Sequence, residues 1–209
     1  MPQVLAQIEH SDEEAKFLRA LTRTRGLMIR IRVTPESDFV ALGNYWSGSG
    51  RNRDVLQMIE AVARTPGVER LDLAHLLPAT PRRHLNAFPS ERDGLGGRFP
   101  DDFWTAINFF NFQPTNRYHD SLDSSDYFNQ RYEPVQGARQ FGDVVLLSRV
   151  PDQHTFHACV FIADGIVYTK HDPNRLSPWV FTRLSTLEAR HGGVGAITSS
   201  VWRKIAAPH

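Results

Sequence analysis

Phe141-Gly142-Asp143-Val144-Val145-Leu146-Leu147 and, after a spacer, His157-Ala158-Cys159-Val160-Phe161-Ile162-Ala163-Asp164-Gly165-Ile166-Val167-Tyr168 decide how this chain folds. Both are apolar runs of strand length. Asp164-Gly165 between two such runs is a two-residue hairpin signal, so the pattern predicts strands over 141–148, 156–163 and 166–170. His157 heads the second strand. Downstream, Pro178 to Arg190 reads as a helix and Val194 to Ile205 as a last strand.

Upstream, residues 101–112 (DDFWTAINFFNF) are apolar nearly all round, with Phe103, Trp104, Ala106, Ile107, Phe109 and Phe110, and a helix of that composition must be buried. Asp101 or Asp102 at its amino end caps free amides and meets the positive end of the dipole. Asn108 and Asn111 need partners there, either bracing a cleft or satisfying loop amides. Leu122 to Gln130 forms another helix.

The first hundred residues carry a different pattern. Ser11-Asp12-Glu13-Glu14 is a capping box opening an amphipathic helix over 11–24. Ile29, Ile31 and Val33 alternate with Arg30 and Arg32, the period of a strand with one wet face. Asp38 to Tyr45 reads as its neighbouring strand and 43–50 as a loop. Asn52 then caps a helix with Val55, Met58, Ile59 and Val62 that ends at Pro66-Gly67. A short strand over 68–73 precedes a Pro- and Gly-rich connector, 76–100, holding one short helix near 81–87. The domain boundary is placed there, dividing 1–97 from 98–209.

Composition limits the function classes. The 209 residues, 41% hydrophobic and 11% aromatic, can fill a real core. Lys plus Arg (24) balances Asp plus Glu (23), a net charge of +1 that steers the chain onto neither nucleic acid nor a membrane surface. The short clusters Arg82-Arg83-His84 and Arg51-Asn52-Arg53 read as solvated surface. One cysteine leaves no disulfide framework and no sulfur-rich metal site. The first residues lack the basic start and apolar run of a secretory signal, and no run is long enough to span a membrane, so a cytoplasmic location is expected.

A buried helix followed by an antiparallel sheet with a histidine at a strand start resembles the NlpC-type, papain-like cell-wall cysteine peptidases. The likeness rests on Gly142-Asp143-Val144-Val145, on His157-Ala158-Cys159-Val160-Phe161-Ile162 and on Gly165, and it covers residues 100–172. It implies an α+β fold in which 98–209 form a papain-type domain, a buried helix packed on an antiparallel sheet, and 1–97 a small α/β extension. It also implies roles: His157 as the catalytic histidine, Thr169 as the third residue that fixes its tautomer, and His171 on the same strand face two residues on.

The nucleophile departs from that pattern. Such an enzyme needs a thiol at the helix start, where dipole and free amides stabilise the thiolate. Asp102 stands at that place, or Phe103 in a register slipped by one. A carboxylate attacks amides poorly and leaves easily. Cys159 shares the face of His157 by the period of two, but no helix end activates it, and a lone cysteine of this kind reads as a small buried hydrophobe. His154, His157 and His171 near Asp152, Asp164 or Asp172 invite a metal, yet His154 and His157 straddle a loop and a strand start, so no metal or cofactor is expected.

Two functions follow from the resemblance. One is a pseudoenzyme, silent toward peptides and binding a peptide-like ligand, an amide or a protein partner. The alternative is an active amide hydrolase using His157 with Asp102 or Cys159.

Overall fold

A computed structural model describes residues 11–21, 24–48, 50, 52–119 and 121–206. The Ser11 side chain, on which the expected capping box turns, Arg51 and the first ten residues lie outside that description. The protein is a mixed α+β structure with a two-stranded and a six-stranded antiparallel sheet. In chain order the helices are α1 (Ser11–Leu21), α2 (Phe39–Trp46), α3 (Val55–Arg64), α4 (Ala79–His84), α5 (Asp102–Ile107), α6 (Ser121–Arg131) and α7 (Leu184–His191). The strands are β1 (Arg30–Arg32), β2 (Arg70–Asp72), β3 (Tyr132–Pro134), β4 (Val144–Arg149), β5 (Thr155–Ala163), β6 (Ile166–Lys170), β7 (Trp179–Arg183) and β8 (Ile197–Lys204).

The large sheet runs β3-β8-β4-β5-β6-β7. The hairpin between β5 and β6 turns at Asp164 (φ 47°) and Gly165 (φ 74°), the left-handed pair a two-residue turn demands. The last strand does not extend the edge but inserts between β3 and β4. Both faces are covered, which explains the unbroken apolar run of β4: Val144 and Leu146 face the cluster of Trp104, Ile107 and Phe128, and Val145 and Leu147 face Leu184 and Leu187 of α7.

Gly142 opens β4 for a steric reason. Its φ is +89°, and a Cβ there would meet the Phe110 ring at 2.3 Å. Asp143 beside it is buried, accepts the Gln140 amide at 2.7 Å and takes Arg203 of β8 in a two-pronged pair, both N–O distances 2.7 Å. In this molecule the Gly-Asp pair turns the chain into the sheet and ties β4 to β8.

One hydrophobic cluster joins Val33, Trp46, Ile59 and Leu76 to Trp104, Val160, Tyr168 and Trp179. Backbone bonds reinforce it. Leu27 N donates to Phe181 O (2.9 Å) and Asn86 N to Trp179 O (2.8 Å), so the early chain covers the outer edge of β7. The Tyr45 hydroxyl donates to Ile162 O at 2.7 Å.

Several expectations need correction. Residues 39–46 form a helix, not a strand: Asp38 caps it by accepting from Ala41 N at 2.9 Å, and Phe39, Leu42, Tyr45 and Trp46 recur at helical spacing toward the core. Asp54, not Asn52, precedes α3, and the Asn52 amide instead donates to Leu76 O at 2.6 Å. The stretch 178–190 is divided, because Trp179, Val180, Phe181 and Thr182 favour a strand and are buried on both faces; only Leu184–His191 is helical. The helix predicted over 101–112 stops at Ile107, and Phe112 is 75% exposed. Asn108 stops it, its Oδ1 accepting Thr115 N (3.0 Å) and Asn111 Nδ2 (2.9 Å), so both asparagines serve the turn. His84 is no solvated residue: it is buried against Trp104 and Trp179 with Nδ1 donating to Thr80 O at 2.8 Å.

Candidate functional site

The site is assembled where the start of α5 meets the start of β5. Asp101 takes the cap: its Oδ1 accepts Trp104 N at 2.6 Å, and the Thr105 hydroxyl donates to Asp101 O at 2.6 Å. Asp102 is thereby the first helical residue, and its carboxylate reaches the sheet. Its Oδ2 accepts Ala158 N at 2.7 Å and lies 3.0 Å from His157 Nδ1. On the other side of the ring, His157 Nε2 is 2.8 Å from the Thr169 hydroxyl, which also reaches Ala158 O at 3.3 Å.

Asp102, His157 and Thr169 therefore form one hydrogen-bonded chain across α5, β5 and β6. A carboxylate only accepts, so His157 Nδ1 carries a proton. Nε2 either receives the threonine proton or donates its own, according to the ring's state; in both cases neither nitrogen is left free. The chain is also closed to solvent: His157 is 2% exposed, Thr169 0%, and the Asp102 side chain 13%.

Two further imidazoles flank this chain. The His191 ring, from the end of α7, lies 5.4 Å from that of His157, and the His171 ring, just after β6, lies 6.5 Å away. His171 Nδ1 and His191 Nε2 are buried without a hydrogen-bond partner. Burial holds the His171 imidazole down to about 4, helped by the Arg190 charge, and lowers that of His191 in the same way. His191 was not legible as a site residue, since an Arg-His pair in the last turn of a helix is an ordinary C-terminal signal.

Cys159 stands apart. It is 1% exposed among Val145, Leu147, Phe161 and Val167, with its thiol donating to Val145 O at 3.6 Å. Burial pushes that thiol well above the usual cysteine range, the reverse of activation. Phe103, the alternative in a slipped register, packs against the main hydrophobic cluster.

Two further shifted groups were not legible in the sequence, Lys170 at the end of β6 and Asp101 at the cap of α5. Lys170 is fully buried, its ammonium donating to Asp172 O and to Asn174 O (2.9 Å) and lying 5.7 Å from the centre of the Trp179 ring. Burial lowers it to about 8, and burial together with the Asp102 charge raises Asp101 to about 6. The signal was faint: one lysine closing a strand of otherwise apolar residues.

Among the described residues no group of three or more His, Cys, Asp or Glu side chains is gathered to hold a metal, and no helix is long and apolar enough to cross a membrane. Comparison with known proteins returns no family model that matches this chain and no match among curated proteins.

Proposed function

We propose that this chain is an NlpC-like, papain-type fold that has lost peptidase chemistry and serves as a binding protein for a peptide-like ligand or a protein partner. The observation that carries the reading is the engagement of both His157 nitrogens. A general base needs a lone pair within reach of the proton it removes, and a nucleophile needs access to a carbonyl. Here Nδ1 donates to Asp102, Nε2 meets Thr169, and the ring is buried. The order of elements, α5 then β4, β5 and β6, with Asp102 at the helix start beside His157, supports the papain-type part of the proposal.

The test has two arms. The purified protein, incubated with ordinary and γ-linked peptides, is expected to release no amine, and Cys159 to resist iodoacetamide until the protein is denatured. Turnover that disappears in His157→Ala would overturn the reading. In the second arm, Asp102→Cys in a Cys159→Ser background introduces a thiol at the start of α5. Its pKa should fall below the ordinary ~8.5 of a free thiol, because the imidazole and the helix end both favour the thiolate. An unshifted thiol would remove the papain-type assignment.

A further inference from the structure

The segment before β1 is fixed against β7 by the Leu27 N to Phe181 O bond, and Gly26 allows the approach, since a Cβ there would lie 3.3 Å from Val180 Cγ1. This places Arg25 and Thr24 on one wall of a cavity of about 240 Å³. Thr182 of β7 and His171 line it from the sheet. Thr186 and Arg190, one helical turn apart on α7, complete it, with Leu187 between them packed into the apolar cluster.

The lining is cationic and rich in donors. Arg25 has no ion-pair partner among the described residues, and no carboxylate lines the cavity. Arg190 is met by Asp172 only at 3.6 Å, and His171 contributes a ring whose buried Nδ1 has no hydrogen-bond partner. Two guanidinium groups, three hydroxyls and an imidazole around one small space are the donor set of an oxyanion site. Three hydroxyls around two forks suit the several oxygens of a phosphate better than the two of a carboxylate.

We infer that this cavity binds a phosphate group, presented as inorganic phosphate or as a small phosphomonoester. The site stands independently of the peptidase question, because its lining charges and donors are the same whichever fold family the chain belongs to. A seated dianion also favours the protonated His171 ring, so binding draws that imidazole upward from its depressed value.

Calorimetric titration of the whole protein with inorganic phosphate, with glycerol phosphate and with acetate at constant ionic strength tests this. Saturable single-site binding of phosphate is expected, with acetate silent; tighter binding of glycerol phosphate than of inorganic phosphate identifies an ester as the occupant, and the reverse the free ion. Arg25→Gln, which breaks no ion pair, should weaken phosphate about tenfold or more, the worth of a charge-assisted hydrogen bond, while leaving the thermal midpoint in phosphate-free buffer unchanged. The His171 ring resonances should titrate at higher pH with phosphate present. Absence of saturable binding, an equal response to acetate, or unchanged affinity in Arg25→Gln would overturn the assignment.

Discussion

At the scale of single residues, Asp102 does two jobs with one oxygen: it accepts the Ala158 amide and holds the His157 ring. Removing it strands two buried donors, whose lost bonds each cost about 1–3 kcal/mol. We therefore expect Asp102→Ala to lower the urea midpoint, by about 2 kcal/mol or more in unfolding free energy, and Asp102→Asn to cost less because an amide oxygen still accepts one bond. Equal stability of all three proteins would show that the clasp is not structural. Cys159 gives the contrasting lesson, since alternation along β5 placed it on the His157 face while its environment made it one more apolar contact.

At the scale of an element, the amino end of α5 concentrates charge in a small space. Asp101 is raised from the ordinary 3.8 to about 6, so the folded state binds its proton more tightly than the unfolded state does. The sign follows: this group costs stability above pH 6 and the cost is relieved as pH falls from 6 toward 3.8. Asp101→Asn keeps an oxygen for the Trp104 amide and removes the titration. The difference in unfolding free energy between the native protein and Asp101→Asn should shrink or change sign as pH is lowered through 6, measured by denaturant titration on either side of that value. A pH-independent difference would count against a buried, titrating cap.

At the scale of the molecule, the early chain and the large sheet share one core. Trp46 of α2 lies 5.3 Å from the Phe141 ring centroid, just before β4, and Phe141 in turn packs edge-on against Phe109 after α5. A Trp→Ala change in a core typically costs about 3–5 kcal/mol. If the core is one cooperative unit, Trp46→Ala should move the whole unfolding transition, with circular dichroism and tryptophan fluorescence still coincident. Two separated transitions would instead divide the early segment from the sheet.

Much of the frame was readable in order along the chain. The runs over 141–148, 156–163 and 166–170, the Asp164-Gly165 turn and a capped start at Asp101 or Asp102 are local signals, fixed by side-chain period, turn chemistry and free amides. The resemblance put Asp102, His157 and Thr169 in one site; the structure brings the three side chains into contact in a chain closed to solvent, not in an open cleft. What was misread depends on burial. Phe39–Trp46 has enough β-favouring residues to pass for a strand until its contacts reveal a helical stripe, and Trp179–Thr182 lacks alternation because both of its faces are covered. The cavity between Arg25 and Arg190 joins residues more than 160 positions apart, which only the pinning of Leu27 to Phe181 brings together. The sequence by itself determined the three strands over 144–170, the hairpin and the carboxylate at residue 102, because these are local. Tertiary structure alone decided that the histidine is closed off at both nitrogens, because hydrogen-bond partners and solvent exclusion are properties of packed neighbours.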